Sequence, residues 1–344
     1  VFICVHLWFQ KSKIRGTALA TFAALACAFL SAQEPGDLLQ GRVREWTVPV
    51  ADSAPNGIAV DPRGNVWLTL LRANQIARLN PRLNAETGEW KLFALPTPDS
   101  GPLGIVSDAG GNIWYAASAA GKIGRIDAAT GAVTKYATPG GAEPHALIIG
   151  PGGSLWFTAP RANLIVRMDA RSGRMQEFAV PTPDARPEAL TVGPDGMLWC
   201  ALVGASRLAR VNPASGKITE YEIPFEGSQP RGLWALEHPV AAIYYTDAGR
   251  GTLGRFEIER LSFKEWRSPS GPGSQPHAIA ADGDGILWYS ESSANQIVRF
   301  DPIKQAFRRF TLPSPRSDAR SMAADQQGRV WLALPGANKV ALVE

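Results

Sequence analysis

From Val43 onward the chain repeats one unit seven times, and this constrains the fold more than any other feature. The unit reads Pro-x-Gly/Ala-Ile, an Asp/Gly turn, an apolar-Trp-aromatic strand, Ala-Asn-x-Ile-x-Arg, then a further strand ending near Pro. Clear copies begin at Pro55 (PNGIAVDPRGNVWLTLLRANQIARL), Pro102, Pro144, Pro187, Pro230, Pro276 and Ala319. Their anchors are Trp67, Trp114, Trp156, Trp199, Tyr244, Trp288 and Trp331, spaced by 47, 42, 43, 45, 44 and 43 residues. Such periods suit helical repeats or propeller blades. Segments this short, rich in Val, Ile, Trp and Tyr and broken often by Pro and Gly, exclude the helices. The expected fold is all-β, a seven-bladed β-propeller.

The two ends of the repeat region show how the ring closes. The last copy stops at Asn338-Lys339-Val340-Ala341-Leu342-Val343-Glu344 and lacks the outer strand that other copies carry, such as Glu265-Trp266-Arg267-Ser268-Pro269. That strand appears at the start of the domain as Arg44-Glu45-Trp46-Thr47-Val48-Pro49. The N-terminal strand is therefore expected to complete the C-terminal blade and cover both exposed edges.

The residues before the repeats differ in character. Lys11, Lys13 and Arg15 precede an uncharged run from Gly16 to Ala32 that ends in small residues. This pattern reads as a secretory leader over residues 1–33, followed by a short linker over 34–42 and the propeller over 43–344. A retained membrane anchor is the alternative, but the apolar run is short for a span. Ala24-Leu25-Ala26-Cys27 fits a lipoprotein box less well than ordinary cleavage. The expected location is periplasmic or extracellular, with no stable membrane span once the leader is gone and a monomeric state.

The leader also accounts for most of the chain's basicity. The sequence has 35 basic and 31 acidic residues; the leader holds three of the basic ones and none of the acidic ones, so the rest carries a net charge of +1. A nearly neutral domain has no electrostatic footprint for nucleic acid. Cys200 is the one cysteine beyond the leader, so no internal disulfide can form and burial must supply stability.

A residue needed once per blade fills the space between sheets, so the periodic Trp residues are assigned to the core rather than to an aromatic ligand site. Pairs such as Asp195-Gly196 and Gly110-Gly111 are hairpin turns, not phosphate loops. Function is expected at the central channel, which the first strand of each blade lines. Eleven residues before the anchor stand Asn56, Leu103, His145, Glu188, His277 and Arg320, with Arg231 as counterpart in the fifth blade. Six of these seven are polar or ionisable, a variety that a structural ring does not need. Three residues after the anchor stand Leu70, Ala117, Ala159, Leu202, Asp247, Glu291 and Leu334. If both series face one mouth, Arg231, Asp247, His277 and Glu291 form an acid/base cluster, with Glu188 and His145 across the channel. Arg231 with Asp247, and His277 with Glu291, also fit plain ion pairs between blades.

The Pro-His-Ala-Ile, Trp-Phe-Thr and Ala-Asn-Gln-Ile-x-Arg phrases, with Leu-Pro-Thr-Pro-Asp between units, resemble the virginiamycin B lyase family over roughly Val43 to Glu344. The resemblance implies a seven-bladed propeller that opens cyclic type B streptogramins by magnesium-dependent elimination at the ester bond, without water. It implies a catalytic His in the sixth blade, matched by His277. It also implies a Glu-x-His phrase and a further Glu in the seventh blade. Asp318-Ala319-Arg320 stands in place of the phrase and Leu334 in place of the last acid, while Glu143-Pro144-His145 carries the phrase in the third blade.

Two functions follow. The first is an exported lyase-like enzyme acting on a cyclic ester, lactone or depsipeptide, with His277 as acid or base. Glu291 and Asp247 would be catalytic partners or ligands of Mg2+, and Arg231, Arg320, Asn56, Glu188, His145 and Asp318 would bind substrate. The second is a non-catalytic propeller that presents its channel to a small molecule, peptide or protein.

Overall fold

The computed structural model describes residues 43–84 and 86–343; the leader and linker assigned from sequence lie outside the described residues. The chain divides into two units, Val1–Pro35 and Gly36–Glu344, and the second holds everything described below. It contains seven antiparallel sheets of four strands each. Blades one to six run in chain order from Pro55, Pro102, Leu147, Pro187, Pro230 and Pro276. The seventh combines Ser321–Ala324, Val330–Leu334 and Lys339–Val343 with the N-terminal strand Val43–Thr47.

Closure occurs as the repeat requires. Val43 pairs with Val343 and Thr47 with Lys339 in an antiparallel register. In blades one to four and six, the anchor Trp lies against an aromatic ring of the outer strand: Phe93, Tyr136, Phe178, Tyr221 or Phe310. In the seventh blade Trp46, delivered by the N-terminal strand, stacks on Trp331 at 5.3 Å. The added strand thus restores the packing pair of the other blades as well as the missing hydrogen bonds.

The core consists of apolar clusters lying between neighbouring blades, because each sheet is covered on both faces by its neighbours. Trp156 and Trp199 are fully buried in these seams, consistent with their assignment to the core. Cys200 is buried there as well, and burial pushes its thiol well above the ordinary range.

Side chains that recur once per blade hold the turns and seams. Asp61, Asp108, Asp282 and Asp325 each accept the indole N–H of their blade's Trp while taking backbone N–H bonds of the turn. The Asn of the Ala-Asn phrase adopts a left-handed conformation at Asn74, Asn163, Asn295 and Asn338, which Asn tolerates better than most residues. Each of these four donates to a carbonyl of the crossover toward the next blade, such as Thr97 or Ser314.

Neighbouring inner strands approach so closely that a Cβ on Gly57, Gly104 or Gly232 would lie 2.2, 2.2 or 2.3 Å from a carbonyl oxygen of the next blade. The Gly of the Pro-x-Gly phrase is there for this approach.

Candidate functional site

The inner strands surround a cavity of about 560 Å³. All seven residues of the first series line it: Asn56, Leu103, His145, Glu188, Arg231, His277 and Arg320. In most blades each follows the Pro that opens the inner strand, so the repeat converts positions far apart in sequence into one ring.

A hydroxyl two residues after the anchor fixes several of these positions. Thr246 Oγ1 accepts the Gly232 N–H at 2.8 Å and donates to the His277 carbonyl at 2.6 Å. Thr158 Oγ1 likewise donates to the Glu188 carbonyl at 3.0 Å, and Thr69 Oγ1 to that of Leu103 at 2.8 Å. The backbone of Leu103, Glu188 and His277 is thereby tied to the preceding blade, leaving the side chain for the channel. The sequence reading missed these hydroxyls, although Thr69, Thr158, Thr246 and Ser290 recur in register.

On one side of the ring the side chains interact. Arg231 donates through Nη1 to both oxygens of Glu188, at 2.9 and 2.6 Å. His277 Nδ1 lies 3.2 Å from the Arg320 carbonyl. A carbonyl only accepts, so Nδ1 carries the proton and Nε2 keeps its lone pair. Burial pushes the His277 imidazole down to about 4; Arg320 and Arg231 lower it further, against the upward pull of Glu188. At neutral pH the ring is uncharged and Nε2 is free to accept a proton.

On the opposite wall, His145 is held by its backbone. Its N–H donates to the Thr158 carbonyl at 2.8 Å, and its carbonyl accepts the Gly104 N–H at 3.1 Å. Its Nδ1 is buried without a partner among the described residues. Glu143, two residues earlier, is engaged instead by the exposed Arg161.

The second series does not face the channel. Asp247 is fully buried and accepts from the Ser228 hydroxyl and from the backbone N–H groups of Gln229, Gly249 and Arg250. Glu291 is fully buried and accepts from the Ser268 hydroxyl and from both the N–H and hydroxyl of Ser270. Both acids bind the crossover that enters their blade. The reason is strand alternation: a residue three after the anchor shares a sheet face with Tyr245 or Tyr289, and that face packs on the neighbouring blade. The expected cluster therefore loses Asp247 and Glu291, and neither forms the ion pair with Arg231 or His277 offered as its alternative. Asp318 also lies outside the cavity lining, where it accepts from Arg320 Nε at 2.8 Å and holds that side chain from behind.

This arrangement does not suit Mg2+, which prefers a near-octahedral set of oxygen ligands. The two acids expected to hold it are saturated by serine and backbone donors. The carboxylate on the cavity wall, Glu188, is already paired with Arg231. Among the described residues, no group of three or more His, Cys, Asp or Glu is placed to hold a metal ion.

The fold and cavity define a closed seven-bladed propeller with an ionisable central channel. The chain belongs to the virginiamycin B lyase family, whose model matches residues 40–343. It is similar to the crystal structure of virginiamycin B lyase from Staphylococcus aureus, with 27% identity, a TM-score of 0.80 and coverage of 88% of this chain and 98% of that one. A catalytically inactive His-to-Ala variant of the Staphylococcus aureus lyase with quinupristin superposes equally well, at 26% identity, covering 88% of this chain and 98% of that one, with a TM-score of 0.80. The extracellular domain of a one-component system from B. thetaiotaomicron, at 12% identity, shares the fold alone; its TM-score is 0.69, with 88% of this chain and 40% of that one covered. A comparison with curated proteins finds no match. No helix among the described residues is long and apolar enough to cross a membrane.

Proposed function

We propose that the channel opens a cyclic ester or depsipeptide by elimination, with His277 as the base. His277 Nε2 takes a proton from a carbon next to a carbonyl; the carbon–oxygen bond one position further breaks, and the ring oxygen leaves as part of a carboxylate. Arg320 stabilises that carboxylate, which needs no proton in order to leave, so the step requires no separate general acid. The observation that carries this reading is the neutral His277, tied through Nδ1 to the Arg320 carbonyl with its lone pair on Nε2. Glu188 positions Arg231 beside the same wall.

Mass spectrometry of the full chain incubated with a cyclic type B streptogramin tests it. Elimination gives a linear product of unchanged mass, hydrolysis adds one water, and His277→Ala should lose the product. An intact cyclic substrate, or turnover that survives His277→Ala, overturns the proposal.

A second reading, a ligand-binding propeller without turnover, is favoured by the seventh blade. There Asp318-Ala319-Arg320 replaces the Glu-x-His phrase implied by the resemblance, and Leu334 is fully buried in the blade seam. Saturable binding without product across cyclic esters would select it. In either case the basic and apolar run before the propeller supports a periplasmic or secreted location, which cell fractionation would check, while the channel itself is what points to a small-molecule or peptide ligand.

A further inference from the structure

We infer, on the reading of the channel as a ligand site, that Arg320 receives a carboxylate of the ligand and that no divalent cation takes part. The two arginines of the ring are not equivalent. Arg231 is held by both oxygens of Glu188 and is only partly accessible. Arg320 is anchored through Nε alone, to Asp318 Oδ1, and its side chain is 51% exposed where it lines the cavity. Neither Nη of Arg320 has a hydrogen bond among the described residues, so the end of the guanidinium opposite its anchor presents two donors in a fixed plane. That geometry matches the two oxygens of a carboxylate, a match that an ammonium group does not offer.

The charge around the ring favours the same ligand. Glu188 and Arg231 cancel, His145 and His277 complete the ionisable set, and the charge of Arg320 is offset only from behind by Asp318. A cation would need oxygen donors that are committed elsewhere: Asp247 and Glu291 to the crossovers, Glu188 to Arg231. Arg320 supplies the positive charge that a metal would otherwise bring to a developing carboxylate, and it does so one blade from His277, whose Nδ1 is bound to the Arg320 carbonyl.

Titration calorimetry on the full chain with N-acetylphenylalanine and with its carboxamide tests this, first in EDTA and then in excess magnesium chloride. The acid should bind at least about tenfold more tightly than the amide, equally well under both conditions. Arg320→Ala should erase the preference and Arg320→Lys should retain part of it, with thermal melts confirming that both variants fold. Equal affinity for acid and amide, no binding of the acid, or binding that appears only with magnesium would overturn the inference. Failure of the two readings is separable. A carboxylate preference in a protein that opens no ring removes the elimination chemistry alone, whereas ring opening that depends on His277 but tolerates Arg320→Ala removes the role of Arg320 alone.

Discussion

Glu188 and Glu291 are carboxylates at positions that recur once per blade, yet they do opposite work. Glu188 lines the channel, reaches solvent and pairs with a guanidinium of the next blade. Glu291 is sealed in a seam, where serine hydroxyls and a backbone N–H take up its oxygens. The difference follows from strand position. Inner strands turn an edge to the axis, whereas second strands have only their two faces, and a neighbouring blade covers each. In a propeller, therefore, periodicity alone does not distinguish a functional residue from a structural one; the strand that carries it does.

The largest expected effect tests the seam. Glu291→Ala removes the acceptor of two serine hydroxyls and one N–H in a dry environment and should cost about 2–3 kcal/mol of stability. Denaturant unfolding would show the loss, while calorimetry should find carboxylate binding in the channel unchanged. A variant that kept its stability but lost ligand would return Glu291 to the functional set.

A smaller effect concerns the channel and pH. A free His takes up its proton near 6.5, whereas folded His277 does so only near 4, so the unfolded chain binds more protons between these values. Stability should therefore fall as pH drops from 6.5 toward 4, by about 1 kcal/mol over the upper part of the window after allowance for the ring's partial access to solvent. His277→Gln should flatten that slope in melts taken across the window, and an imidazole that titrates near 6.5 by NMR would contradict the environment described.

The smallest expected effect is that of Glu188→Gln. Its ion pair is partly solvated, so the loss should stay below about 1 kcal/mol. The same change removes the group that pulls His277 upward, so the imidazole should titrate lower still. An unfolding midpoint that moved as far as that of Glu291→Ala would erase the distinction between channel and seam.

Most of the channel ring was legible in the sequence, because counting back from the anchor lands on the same place in every blade. Asn56, His145, Glu188, Arg231, His277 and Arg320 all reach the cavity. Asp247 and Glu291 were misplaced because the two once-per-blade series were expected to face one mouth, whereas the second series faces the seams, where serines of the preceding crossover satisfy both acids. Asp318 was read as a contact residue because it stands where the resemblance places the Glu of the Glu-x-His phrase, but it supports the Arg320 side chain from outside the lining. Thr158 and Thr246 passed unnoticed because a hydroxyl inside a strand gives no hint that its acceptor belongs to the next blade.

Blade number, ring closure and the membership of the channel ring were written into the order of residues, since each depends only on a period and on which strand is missing at which end. Partner choice was not. That Arg231 takes Glu188 rather than Asp247, that His277 gives its Nδ1 proton to a backbone carbonyl and that Arg320 keeps its outer nitrogens free depend on angles and distances between blades. Those quantities exist only once seven sheets have closed around one axis and packing has fixed how far each inner strand stands from the next.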